Sequence, residues 1–330
     1  YTGYGRDIVE MDLIKRVEIL KGPSSALYGS DGLAGAVSYI TKDASDLADP
    51  GNNYYSISTT YDEDSDQNKI NFLGATVGQN IEALLQITSR DLSEGELHDD
   101  ATLTPNPLSA DQSSVLGKLK LILSDSFEAT ITADFQEWEG DIELNSDETM
   151  SFYPVILNTS ESVGVDEGTR ERVSLKLDFL GESFFENGSI NIFTQETEQE
   201  QQTTKSQQTF GNGLQAGPTE LSSEFRNYQF NQSIDGFSAE FFKTIGSDDF
   251  GRTHNLVYGF EYESTDTQRP RIRVSTNLMT GAQNTFLGGE YYPNKTFPDT
   301  ETKRKAFFIN DRIEVDERTA VVLGARYDGY

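Results

Sequence analysis

The 330-residue sequence predicts a mainly β chain: a partial antiparallel transmembrane β-barrel preceded by part of a small α/β unit. Three observations predict it. Segments of about ten residues alternate apolar and polar side chains, the pattern of a strand with lipid on one face and water on the other. The connections between these segments alternate short and long. Aromatic residues reach 11% while all hydrophobic residues together reach only 35%. Disordered chains are poor in aromatics, so this combination fits strands with one wet face each.

Composition removes several functional classes. Lys plus Arg number 26 and Asp plus Glu 55, so the formal charge is 26 − 55 = −29. A chain this acidic repels phosphate backbones, so nucleic acid is not an expected partner. With no Cys there is no disulfide framework, thiolate metal site or Cys nucleophile. Two His leave little for His-rich metal sites or general-base catalysis. No apolar run is long enough for a spanning helix. No signal peptide opens the chain at Tyr1.

The first 48 residues read differently from the rest. Leu13–Leu20 alternates charged and aliphatic side chains as a strand. Lys21-Gly22-Pro23-Ser24-Ser25 breaks it and starts a helical turn. Gly29, Gly32 and Gly35 mark tight bends, and Ala36–Thr41 is a second strand. The domain boundary is set here, with 1–48 as the α/β part and 49–330 as the wall. Strands are expected near 53–61, 68–78, 81–90, 113–123, 126–137, 170–180, 189–198, 225–245, 254–263, 304–315 and 318–327. Phe127, Ala129, Ile131, Ala133 and Phe135 against Glu128, Thr130, Thr132, Asp134 and Gln136 is the cleanest alternation. The long connections are 91–112, 138–169, 199–224 and 264–303. Splitting 225–245 at Asp235-Gly236 would put the 264–303 connection on the short-turn side, so this segment is read as one long, bulged strand.

Leu13-Ile14-Lys15-Arg16-Val17-Glu18-Ile19-Leu20-Lys21-Gly22-Pro23-Ser24-Ser25-Ala26-Leu27-Tyr28-Gly29-Ser30, then Gly35-Ala36-Val37-Ser38-Tyr39-Ile40-Thr41-Lys42, resembles the C-terminal half of the plug domain of TonB-dependent outer-membrane receptors. Leu323–Asp328 is similar to a strand near the middle of that family's barrel. The family's barrel has 22 strands closed around a plug. The resemblance therefore implies the second half of a plug and about eleven of 22 strands. Gly29-Ser30-Asp31-Gly32-Leu33-Ala34-Gly35, followed by Thr41–Leu47, resembles the heme and hemoglobin receptor branch.

What the resemblance implies is a bacterial outer-membrane, multi-pass receptor that imports a scarce ligand. The ligand is heme or heme from hemoproteins, or alternatively a siderophore or other ferric chelate. No intrinsic cofactor is implied. The implied partners are the TonB–ExbB–ExbD complex, acting through an N-terminal segment outside this chain, outer-membrane lipid and lipopolysaccharide, and hemoglobin or another heme protein. The branch's two axial His ligands belong to the early plug and to a later extracellular loop, both outside this chain. A diffusion porin and a soluble, acidic β-rich hydrolase are the rival classes. The plug-like opening stands against the porin, and the loop alternation against the hydrolase; there is no nucleophile elbow or Ser-His-Asp set, while the many carboxylates leave a glycosidase pair open.

Candidate site residues follow from chemistry. Arg16, Glu18 and Lys21 are charges on a plug strand, where a salt-bridge lock to the barrel or an ordinary ion pair would satisfy them. Gly22, Gly29, Gly32 and Gly35 are plug turn glycines. They are not a phosphate loop, because no Lys-Ser/Thr follows. His98 in loop 91–112 is a candidate iron ligand or a solvated side chain; His254 at a strand start is a weaker one. Arg269, Arg271 and Arg273 share a face and suit carboxylates or phosphates, or form a polar lumen face. Asp141, Glu143 and Asp147 lack the Gly-centred loop of a Ca2+ site. Trp138, Tyr54, Tyr55, Tyr61, Phe152 and Tyr153 suit an interfacial girdle.

Overall fold

A computed structural model of the chain describes residues 9–21, 35–64, 66–93, 105–148, 150–152, 155–181, 183–212, 214–246, 252–316 and 318–330. Two strands form a hairpin of their own: β1 (Ile14–Lys21) and β2 (Gly35–Thr41), antiparallel, with Lys21 opposite Gly35. A Cβ on Gly35 would lie 2.2 Å from the Leu20 carbonyl oxygen, and its φ is +144°. That approach requires glycine. Gly22, Gly29 and Gly32 lie outside the described residues.

The remainder is one wall. Its strands are β3 (Asn53–Asp62), β4 (Gln67–Val77), β5 (Ile81–Ser93), β6 (Leu108–Ser124), β7 (Phe127–Glu143), β8 (Ile156–Leu180), β9 (Asn187–Phe210), β10 (Glu220–Ile245), β11 (Thr253–Gln268), β12 (Pro270–Asn277), β13 (Thr300–Asp316) and β14 (Thr319–Gly329). Eleven of them pair antiparallel in sequence order from β3 to β14; β12 instead continues along β10 beyond the end of β11. This is an open, partial barrel. Among the described residues no helix is long and apolar enough to cross a membrane, a test that does not address strands.

Register separates the two faces. Gln86, Lys118 and Gln136 touch the plug, so they define the lumen side. The alternate positions point outward: Ile70, Leu85, Ile87, Ile131, Val173, Ile192, Phe307 and Leu323, all exposed. On β8 the outward apolar run is Val173, Leu175, Leu177 and Phe179. It covers roughly 20 Å of strand, near the height of a barrel's lipid belt. Above it the outward residues become Glu171, Thr169 and Glu167. The lumen face is not uniformly wet. Leu73, Ala75, Val77, Leu84 and Leu116 point inward and pack on Leu13 and Ala44 of the plug side.

The strands run far beyond their expected ends. β8, β9 and β10 have 25, 24 and 26 residues, so most of the connections expected at 138–169 and 199–224 is strand. Above the belt both faces meet water, and the apolar alternation vanishes while backbone pairing continues. The segment 225–245 is one strand, as parity required. The register of β9 on β10 has no shift, however, so the expected bulge is absent. Trp138 also departs from expectation. It lies opposite Gln112 and Gly168 on the lumen face and is no girdle residue. Tyr54 is likewise on the lumen side, opposite Ala75; Tyr55 and Tyr61 point outward, and Tyr153 lies outside the described residues.

Gly259 faces the lumen, where a Cβ would lie 2.4 Å from the Ala239 carbonyl oxygen and 2.6 Å from the Phe308 ring. The backbone contact cannot relax without moving β10. Gly259→Ala is expected to destabilise the folded protein by about 1–3 kcal/mol, read as a lower urea midpoint for loss of the heat-modifiable gel band.

Candidate functional site

The plug is held to the wall through the segment just before β1. Glu10 is 2% exposed. Its Oε1 accepts from the Asp12 N–H at 3.0 Å, capping the 3-10 turn Met11–Leu13, and from Arg90 of β5 at 2.8 Å. The Glu10 N–H donates to Gln136 Oε1 of β7 at 3.0 Å. The same turn thus places Leu13 in the apolar cluster and the two acids against the wall. Asp12 pairs with Lys69 of β4 at 2.8 Å, and its carbonyl accepts from Gln86 at 2.9 Å. After β2, Lys118 of β6 reaches Asp43 at 2.8 Å and the Thr41 carbonyl at 3.3 Å. Wall cations meet plug anions on three strands.

The charges singled out on β1 sit elsewhere. Arg16 and Glu18 pair with each other at 2.6 Å, half-exposed, and Lys21 is exposed. None of them reaches the described wall. Glu10, Asp12 and Asp43 carry that contact, and sequence pattern missed all three, because their partners are set by docking and leave no local periodicity.

Above the lipid belt the lumen wall forms a vestibule. Glu224 of β10 receives Arg273 of β12 through two bonds, 2.8 and 3.0 Å, and Arg226 Nε at 2.5 Å. Burial pushes the Glu224 carboxyl up, but the two guanidiniums outweigh it and hold it below its ordinary value. Arg271 donates to Asn294 at 3.0 Å and Glu290 at 2.9 Å, fastening segment 278–299 to the wall. Arg269, at the break between β11 and β12, stacks over Phe230 and Phe297. The three arginines therefore gather at one end of the wall, each committed to a different partner.

Asp166 of β8 is different. Burial raises its carboxyl to about 6, opposed only by a bond from Gln201 of β9 at 3.2 Å. Asp141 and Glu143 point outward from β7, whereas Asp147 turns inward to Lys205 at 2.5 Å, so the three acids do not converge. Among the described residues no group of three His, Cys, Asp or Glu could hold a metal ion. His98 lies outside the described residues. His254 pairs with Asp311 at 2.7 Å, on the outward face near the short turns and away from the lumen.

Comparison with known proteins places this geometry. Residues 115–330 match the family model "TonB dependent receptor-like, beta-barrel", and residues 1–36 match "TonB-dependent Receptor Plug Domain". A stretch of 41 residues is 61% identical to a hemin receptor of Yersinia enterocolitica and 51% identical to one of Yersinia pestis, covering 12% of this chain and 6% of each receptor. The siderophore receptor PiuA of Acinetobacter baumannii superposes with a TM-score of 0.59 at 14% identity, over 96% of this chain and 47% of PiuA. BauA, the ferric preacinetobactin receptor of the same organism, gives 0.51 at 16% identity, over 96% of this chain and 50% of BauA. The chain thus spans about half of these solved receptors and a small part of the curated hemin receptors it matches.

Two outcomes are expected in the full-length receptor. Arg90→Met leaves Glu10 buried without its cation and costs about 3–5 kcal/mol, measured by urea unfolding. Asp166→Asn raises the melting temperature at pH 7.5 and leaves it unchanged near pH 3.5. The sign follows from the raised value: the penalty of a charged Asp166 is full above pH 6 and disappears as pH falls toward 3.8.

Proposed function

Because the chain belongs to the TonB-dependent receptor family, we propose that it forms plug and barrel wall of an energised bacterial outer-membrane importer for a scarce iron-bearing ligand. The whole receptor sits in outer-membrane lipid and lipopolysaccharide, and a TonB–ExbB–ExbD complex pulls on its plug. The protein makes no bonds in its ligand; it binds, gates and releases.

One observation carries this reading. Among the described residues the joint between plug and wall combines three ion pairs, Glu10–Arg90, Asp12–Lys69 and Asp43–Lys118, with a small apolar patch of Leu13 and Ala44 flanked by Ile14, Leu47 and Ala48. Hydrogen bonds exchanged for water contribute only about 0.5–1.5 kcal/mol each, and fully burying a leucine side chain about 1.5–3 kcal/mol. Such a joint holds at rest and yields to a pull. Arg16, Glu18 and Lys21, exposed here, are proposed as further lock residues toward the part of the barrel outside this chain.

Heme is the proposed ligand, free or drawn from hemoglobin or another heme protein, on the strength of the short stretch shared with hemin receptors. The fold shared with PiuA and BauA supports a ferric siderophore as the second reading.

The test is growth of a bacterium lacking its own heme and siderophore receptors. With the full-length gene, growth on hemin as sole iron source is expected in a TonB-positive strain and not in a TonB-negative one. TonB-dependent growth only on ferric siderophores would move the ligand to the second reading, and TonB-independent growth on either would overturn the importer. Because this chain has no Cys, Asp43→Cys with Lys118→Cys accepts a short bismaleimide bridge. The bridge is expected to stop uptake while leaving hemin binding at the surface intact.

A further inference from the structure

The acid at position 166 belongs to a cavity that the plug joint does not use. A cavity of ≈280 Å3 opens on the lumen face between the 3-10 turn Asn145–Asp147 and strands β8, β9 and β10. Sites for whole small molecules run from about 300 to 1,000 Å3, so this one suits an arm of a ligand, not a metal-binding macrocycle. Asp147 fastens the turn over it, through Lys205 at 2.5 Å and Ser162 at 3.4 Å.

The walls of the cavity are laid out by strand register. Asp166, Gln201 and Tyr228 lie side by side on one rung, and Gly164, Thr203 and Arg226 on the next. Gly164 has no Cβ, and one placed there would lie 2.8 Å from Ile142, so the glycine lets Ile142 close over the sheet. Ile142 and Leu144 supply the apolar side.

An acid and a base share this cavity without meeting. Asp166 takes one bond, from a neutral amide. Arg226 gives its Nε to Glu224, and its two terminal nitrogens take no protein partner among the described residues. Glu224 is already bonded twice by Arg273, so it does not neutralise Arg226 fully. No direct Asp166–Arg226 pair forms. Two strand spacings and one rung separate their Cα atoms by roughly 12 Å. Partly buried charges left short of partners are costly, and here both face one space.

We propose that this cavity is a subsite for a zwitterionic arm, with an ammonium on Asp166, a carboxylate on Arg226, and an alkyl stem on Ile142 and Leu144. The proposal rests on the importer reading with a ferric chelate as cargo, since heme carries carboxylates and no ammonium, and adds to it the chemical class of a group that the chelate carries. Asp166 sets one end of the arm and Arg226 the other, so the subsite measures length as well as charge.

The experiment uses the full-length receptor in detergent and saturation-transfer NMR with 5-aminovalerate, with pentylamine and valerate as singly charged probes. Saturable binding of 5-aminovalerate is expected, at least tenfold tighter than either control. Asp166→Asn and Arg226→Gln are each expected to weaken it at least tenfold, with the heat-modifiable band confirming a folded barrel. Should either variant misfold, Asp166→Glu and Arg226→Lys replace them, and these are expected to keep binding within about threefold. Equal binding of the three probes, or 5-aminovalerate binding that ignores both positions, would overturn the subsite, as would no saturable binding. TonB-dependent growth reports the importer reading separately. Intact uptake with no aminovalerate site removes the subsite alone, and lost TonB dependence with intact NMR binding removes the importer alone.

Discussion

Every backbone N–H and C=O of a chain that crosses lipid must be bonded by another part of the protein, because hydrocarbon offers no replacement. That constraint selects a continuous antiparallel ladder and leaves side chains free to serve two solvents. Outward positions such as Ile131, Val173 and Leu175 are exposed and apolar, while their neighbours one residue along carry amides, hydroxyls and charges. In a soluble sandwich the same exposed row would lie beneath a second layer. Here no described element covers it. The ladder also explains why the wall continues past the lipid. Once β8, β9 and β10 are paired, extension adds a hydrogen bond per residue and asks nothing of side-chain polarity.

The plug depends on the wall in a different way. Its described part is a hairpin with both faces largely exposed and a short turn that inserts Leu13. A two-stranded hairpin is marginal by itself. Its position is fixed by directed contacts on β4, β5, β6 and β7, where wall side chains reach the segments flanking the hairpin. Directed contacts have sharp geometry and small net free energy in the presence of water. This is the combination a movable stopper requires: one seat, and a modest cost of leaving it.

How much of this was legible in sequence follows from the range of each signal. Strand number and parity came from alternation and loop length, both local, so eleven strands and the unbroken 225–245 segment were readable. Strand extent was not, since a stretch such as Gln195–Gln208 is polar on both faces and looks like loop. Trp138 was misplaced because an aromatic near a strand end suits either face, and only the register opposite Gln112 decides. The plug joint was invisible for the same reason. Glu10 and Arg90 are 80 residues apart, and nothing near either names the other. The arginines at 269, 271 and 273 were legible as a group, but their partners Phe230 and Glu224 come from β10 and Glu290 from the segment 278–299.

The charge of −29 is distributed unevenly, and the distribution bears on what can enter. Above the lipid belt the outward face of β7, β8 and β9 carries Glu137, Glu139, Asp141, Glu143, Glu171 and Glu196, all exposed. The cations of the same strands, Arg170, Arg172 and Lys205, point to the lumen instead. Arg226, Arg271 and Arg273 join them on β10 and β12. An anion approaching along β7, β8 and β9 is repelled by their outer skin and meets the cations of these strands only on the lumen side, where Arg170 and Lys205 are paired with Asp134 and Asp147. The outer acids also forbid close approach of lipopolysaccharide phosphates without intervening cations. A wall with cations on its outer face would collect anions there, whereas β7, β8 and β9 keep theirs on the inner face, each beside an acid or an amide that fixes its position.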